Sequence, residues 1–182
     1  MSDTNETGSV ILDPGTGSQI REDIREIEWI AGSGILGAGN DHPFRKALLI
    51  QTLINLRDLM AKCVKFATRV DFKDDVIQSQ PGDRRKVHDV TDLITFFRDA
   101  LCHPEADHPM LTPNIRLVLG TVRGKKDFTM FEIGGGSLDP PCDYEDDIAF
   151  IFGLQRIYLK RHILRAFDEA KQLLISIRVD TY

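Results

Sequence analysis

The chemistry most plainly available to this chain lies in Arg98-Asp99-Ala100-Leu101-Cys102-His103. A guanidinium forks onto phosphate oxygens and stabilises negative charge as it develops. An imidazole changes protonation near neutral pH and can move protons. Held together beside an acid, the two are a minimal apparatus for breaking a phosphodiester. Their spacing sets a condition. In an uninterrupted helix, residues five apart point about 140° away from each other. Pro104 biases His103 away from helical angles, so the helix is expected to stop there and let the ring swing back toward Arg98.

The element that must position this pair is an amphipathic helix. Val87, Val90, Ile94, Phe97 and Leu101 recur at spacings of three and four, which predicts a helix over residues 87–103 with Arg98 beside its apolar stripe. Before it, residues 43–72 carry a longer seam of Leu49, Leu53, Leu56, Met60, Cys63, Ala67 and Val70, with Asp41 as a cap and Pro43 at the first position. That seam asks for a partner helix at a shallow angle. Asn55 and Asp58 lie beside it and are candidates for approaching the site or for a solvated face. Ile20, Ile24, Ile27 and Ile30 predict a short helix over residues 20–31, which Trp29 is expected to anchor to the main body.

The Arg-Asp-x3-His stretch, set at the end of a middle helix, resembles the signature of the HEPN family. These are small helical-bundle proteins of prokaryotic conflict and defence systems, many of them metal-independent endoribonucleases. The resemblance covers roughly residues 43–177. It implies a homodimer in which two Arg98–His103 sets share a cleft. It also implies that a ribose 2′-hydroxyl attacks the neighbouring phosphate, with His103 as general base or acid, Arg98 on the phosphorane and Asp99 orienting a group or bonding across the dimer. RNA is then the substrate, an antitoxin or another protein a possible partner, and no cofactor or metal is required. The competing expectation is a non-catalytic helical module for dimerisation or partner binding in a defence or regulatory complex, with a small-molecule-binding bundle as a third.

Other constellations were weighed against plainer roles. Arg156 and His162 match the same pattern with five intervening residues, but Ile157 follows the arginine and no breaker ends the helix, so that pair reads as coincidence. Gly32-Ser33-Gly34-Ile35-Leu36-Gly37 spells a dinucleotide-binding string. That string needs a strand before it and a helix opening within it, whereas the preceding residues have helical periodicity, so it reads as a linker. Gly134-Gly135-Gly136 lacks a following Lys-Ser/Thr and reads as an exit from a turn. Cys102, His103, Glu105, Asp107 and His108 do not supply a recognisable four-ligand zinc set.

Composition sets the remaining bounds. A net charge of −5 over 182 residues argues against a nonspecific nucleic-acid binder, yet leaves room for local cations at Arg84, Arg85 and Lys86, at Arg123, Lys125 and Lys126, and on the face carrying Lys160, Arg161 and Arg165. Three cysteines without Cys-x-x-Cys spacing indicate no disulfide framework. The acidic N-terminus has no signal-peptide pattern and no run reaches membrane-spanning length, so the chain reads as cytoplasmic and not membrane-bound.

The expected architecture is mainly α: an antiparallel four-helix bundle with an inserted β-hairpin. Residues 1–19 are expected to be a disordered extension, 20–42 a short helix and Gly-rich linker, and 43–182 the helical domain. Within that domain, segments 114–122 and 128–133 would pair as the hairpin. A long helix over residues 143–177 would close the chain, its amides capped by Asp143, Glu145, Asp146 and Asp147, with Gln155 interrupting its stripe.

Overall fold

The computed structural model describes residues 11–38, 42–79, 86–103, 119–125, 132–133, 136–137, 142–152 and 155–179. The described chain is mainly helical, with four α-helices and a small three-stranded antiparallel sheet. None of those helices is long and apolar enough to cross a membrane.

Helix α1 (Pro14–Gly32) begins earlier than the hydrophobic periodicity alone suggests. Asp13 caps it, its carboxylate accepting from the Thr16 amide at 2.9 Å, and Pro14 supplies a preset φ at the first turn. Residues 14–19 are therefore helix and not part of a disordered extension. The isoleucine stripe is buried as the spacing requires, whereas Trp29 is 65% exposed and anchors nothing. The glycine string that follows ends the helix: Gly34 takes a left-handed φ of 71°, and Ile35–Gly37 forms a single 3₁₀ turn that buries Leu36.

Helix α2 (Arg45–Phe66) is the hub, packing on α1, on α3 (Val90–Cys102) and on α4 (Arg165–Ile175). Leu49, Leu53, Leu56, Leu59, Met60 and Cys63 are all buried. The pairs Lys62–Asp23 (2.6 Å) and Asn55–Glu26 (2.8 Å) show α1 and α2 running antiparallel. The helix stops six residues short of Phe72, and the proposed cap at Asp41 lies outside the described residues. After Phe66 the described residues up to 79 form neither helix nor strand; Val70 is buried from that segment, so the hydrophobic spacing outlasted the helix.

The C-terminal third departs most from expectation. Where the closing helix was expected, Ile148–Phe152 and Gln155–Tyr158 are instead two strands, β5 and β6, paired antiparallel. Strand β2 (Gly120–Arg123) pairs antiparallel with β5, Gly120 opposite Ile151 and Arg123 opposite Ile148. Segments 114–118 and 128–131 of the expected hairpin lie outside the described residues. Short strands β3 (Glu132–Ile133) and β4 (Gly136–Ser137) pair with each other, and β1 (Ile11–Leu12) pairs in parallel with β7 (Arg178–Val179). All five β5 residues are buried, so their continuous apolar run carried neither helical nor strand periodicity.

A π-helical turn, Leu159–Leu164, joins β6 to α4. Of the acids before β5, Asp147 alone among the described contacts caps helical amides, those of this turn and from across the sheet, while Asp143 and Asp146 pair with side chains. Asp147 is fully buried and accepts from the Lys160 amide (2.9 Å), the Arg161 amide (3.1 Å) and the Arg161 guanidinium (3.0 Å). The Gly124 amide donates to the Asp147 carbonyl at 3.0 Å from a left-handed φ of 71°, where a side chain would meet the Glu145 carbonyl.

Candidate functional site

Helix α3 is held at its start by charge and along its length by apolar burial. Asp89 caps it, accepting from the Asp92 amide at 2.9 Å. Arg69 forks onto Asp89, with both bonds at 2.8 Å, and reaches Asp92 at 2.6 Å. Burial pushes the Asp89 carboxyl up, but the bonds from Arg69 and the helix amides outweigh it and hold it below the usual carboxylate range. Val90, Leu93, Ile94, Phe96, Phe97, Ala100 and Leu101 are buried. What remains is a narrow half-buried edge: Thr91, Asp92, Thr95, Arg98, Asp99 and Cys102.

The helix ends at Cys102. His103 has left helical angles (φ −128°, ψ 61°), although its amide still donates to the Asp99 carbonyl at 2.9 Å. The exposed histidine therefore starts one turn above Asp99. Arg98 donates from Nη1 to Asp99 at 3.0 Å, the two side chains being 30% and 27% exposed. Its Nε is buried without a hydrogen-bond partner among the described residues. The structure thus joins Arg98 to Asp99 directly and His103 to Asp99 through the backbone.

Asp99 also lines a groove of about 300 Å³ with Lys86, Val87, Asp92, Thr95 and Phe96. Sequence reading did not single out Asp92 or Thr95. The available signal was spacing: Asp92, Thr95 and Asp99 follow one another at three and four residues, which places all three along one strip of α3.

The remaining candidates go elsewhere. Asn55 is buried and donates to Glu26 on α1, while Asp58 pairs with Arg57 at the surface. Buried Gln155 donates to the Ile77 carbonyl. The expected basic face is compensated: Lys160 and Arg161 pair with Asp146, Arg161 also with Asp147, and Arg165 with Asp74 and Glu169. Arg84, Arg85, Lys126, Glu105, Asp107 and His108 lie outside the described residues.

The second Arg/His pair has a structural explanation. His162 is fully buried on the π-helical turn. The Tyr158 amide donates to its Nδ1 at 3.1 Å, which leaves Nε2 to carry the proton and donate to the Asp74 carbonyl at 2.9 Å. Burial lowers its pKa, only partly offset by the Asp74 bond. Arg156 forms an ion pair with Asp143, which also accepts from the Tyr158 hydroxyl at 2.8 Å.

Compared with protein-family models, with curated proteins and with solved structures, the chain gives no match in any of the three.

Proposed function

We propose that the chain is a metal-independent endoribonuclease of the HEPN type, with Arg98, Asp99 and His103 as its site. The observation that carries this reading is the end of α3. The helix stops just before the histidine, and one turn of backbone carries a part-exposed guanidinium paired with a carboxylate and, just beyond them, an exposed imidazole. Any residue pair can match a spacing; this one is also solvent-accessible on a rigid, well-packed element.

In the proposed reaction, a ribose 2′-oxygen bonds to the adjacent phosphorus and the P–O5′ bond breaks. The 2′-hydroxyl proton passes to a base, and the 5′-oxygen takes one from an acid. His103 serves as one of the two, and the same residue on a second copy supplies the other. Arg98 stabilises the phosphorane charge, and its pairing with Asp99 fixes the direction of the fork. The reading brings with it an antiparallel four-helix bundle, a homodimer, a cytoplasmic setting and an antitoxin-like protein partner. The test is RNA cleavage in EDTA by wild type, Arg98→Ala and His103→Ala, with product ends determined. Cyclic 2′,3′-phosphate ends from wild type alone support the reading. Equal cleavage by all three removes these residues from catalysis.

A second reading, a non-catalytic dimerisation or partner-binding module, draws on Trp29, Phe44, Val64 and Ile175, large apolar side chains each more than half exposed. Harmless expression with stable co-purification of another protein favours it; growth arrest relieved by His103→Ala favours the nuclease.

A further inference from the structure

We infer that the outward face of α2 is the seam on which a second copy of this chain docks, the two α2 helices packing antiparallel about a twofold axis. The inference uses none of Arg98, Asp99 and His103 and does not rest on the nuclease reading. A cleft shared at α3 would be a separate contact.

Helix α2 carries two apolar seams. Leu49, Leu53, Leu56, Met60 and Cys63, at spacings of four and three, are buried in the core. On a second line along the same turns, Ala47, Ile50, Ile54, Arg57, Ala61 and Val64 repeat at three and four. A sustained three-four repeat is the pattern by which one helix seats against another along its length. Helices α1, α3 and α4 all pack on α2, yet this second seam stays open. Ala47, Arg57, Ala61 and Val64 are exposed, and Ile50 and Ile54 are half-buried. The outward face of a helix in a globular chain is ordinarily polar. Here the seam is apolar except at Arg57, over about 25 Å of helix.

The charges on the seam select its occupant. Arg57 donates to Asp58 at 3.0 Å, and the two side chains are 45% and 49% exposed. A hydrocarbon surface would have to take up this ion pair without compensation. A second α2 compensates it, because two copies bring two guanidinium groups and two carboxylates together with no net charge. Direction follows from the same residues. Parallel helices in register would set Arg57 against itself, like charge on like. Antiparallel helices place Ala47 against Val64 of the second copy, Ile50 against Ala61, and Ile54 against the aliphatic stem of Arg57. Each layer then sets a larger side chain against a smaller or an unbranched one. Asp58 of the second copy lies one turn from its Ile54, about 6 Å along the axis and within the length of the Arg57 side chain. The contact is self-complementary, as a twofold interface requires.

Sedimentation of the full wild-type chain should give a dimer. Ala61→Glu puts a carboxylate into two symmetry-related layers and should weaken that dimer by at least about a hundredfold. Ala61 is exposed in the single chain, so the variant should keep the wild-type circular dichroism. The register is read by a double variant, Ile50→Cys with Ala61→Cys. Within one helix these positions are separated by about 16 Å, too far for a disulfide, whereas antiparallel copies bring each against the other. Mild oxidation should therefore link two copies of the double variant, and link neither single variant nor wild type. The cysteine pair decides the matter should Ala61→Glu fail to fold. A monomeric wild type overturns the inference. So does a dimer that Ala61→Glu leaves unchanged, which places the contact elsewhere, or linking of the single variants as readily as the double.

Discussion

Two stretches of this chain pair an arginine with a histidine at nearly the same spacing, and they are built for opposite ends. At the close of α3, Arg98 pairs with a part-exposed acid, and a histidine four residues on from that acid emerges into solvent beyond the last helical residue. On the turn before α4, His162 is enclosed, both ring nitrogens are committed to backbone groups, and Arg156 is spent on Asp143. A histidine that donates and accepts only within the fold has no proton to exchange with a substrate. The difference lies in how the helix meets the residue. A stop before Pro104 releases one ring, while a π-helical turn folds the other into the core.

The contrast can be broken most severely by exchanging the roles. His103→Ala should lower RNA cleavage by about 10²–10⁴-fold, the usual worth of a general acid or base, and shift unfolding free energy by less than about 0.5 kcal/mol, as for an exposed surface change. Chemical denaturation beside a cleavage assay reads both. Asp147→Ala should act in reverse. It removes the acceptor for two amides and a guanidinium at the start of the turn and should cost about 3 kcal/mol or more, because buried donors are left unmade. His162→Ala should cost about 2–3 kcal/mol by leaving the Tyr158 amide and the Asp74 carbonyl unpaired around a small void. An unchanged midpoint for either variant would show that the turn is not the structural member of the pair.

Acidity sharpens the same contrast. Burial depresses the pKa of His162 in the folded chain below the usual imidazole value. At neutral pH both states hold the ring neutral and the full stability is present. As pH falls below about 6.5 the unfolded state takes up a proton first, so stability declines, by at most about 1.4 kcal/mol per pH unit for one group, until the folded pKa is reached. Replacing His162 with Gln should flatten that part of the profile, measured by denaturant midpoints between pH 7 and pH 5. The smallest effect expected is that of Arg69→Met at the other end of α3. The guanidinium is 39% exposed, and screening leaves its ion pairs with Asp89 and Asp92 worth about 1 kcal/mol. Acid sensitivity should fall with it, since the lowered Asp89 pKa would move back up toward its unfolded value and leave less stability to be lost on acidification.

Helices with a one-sided stripe were legible from spacing: α2 and α3 follow their leucine and phenylalanine periodicity to within a turn or so at most ends. Where apolar residues run without interruption, as in Ile148–Phe152, spacing carries no period, and a central strand reads as part of a helix. The start of α1 was hidden by Gly15, Gly17 and Ser18, although Asp13-Pro14 is a sound local start signal. The partner of β2 could not be read locally, because pairing with β5 joins segments some 30 residues apart. At the site, the sequence placed Arg98, Asp99 and His103 on one helix end. Missing from it were Asp92 and Thr95, whose exposure is decided by what packs around α3 and not by their own neighbours in the chain.

Cleavage per folded molecule, measured for His103→Ala and His162→Gln in EDTA on one RNA and normalised to the folded fraction of each, tests the central distinction most directly. The account predicts that the α3 variant loses cleavage while remaining folded, and that the core variant keeps wild-type cleavage in whatever fraction stays folded. Wild-type cleavage by His103→Ala would contradict it.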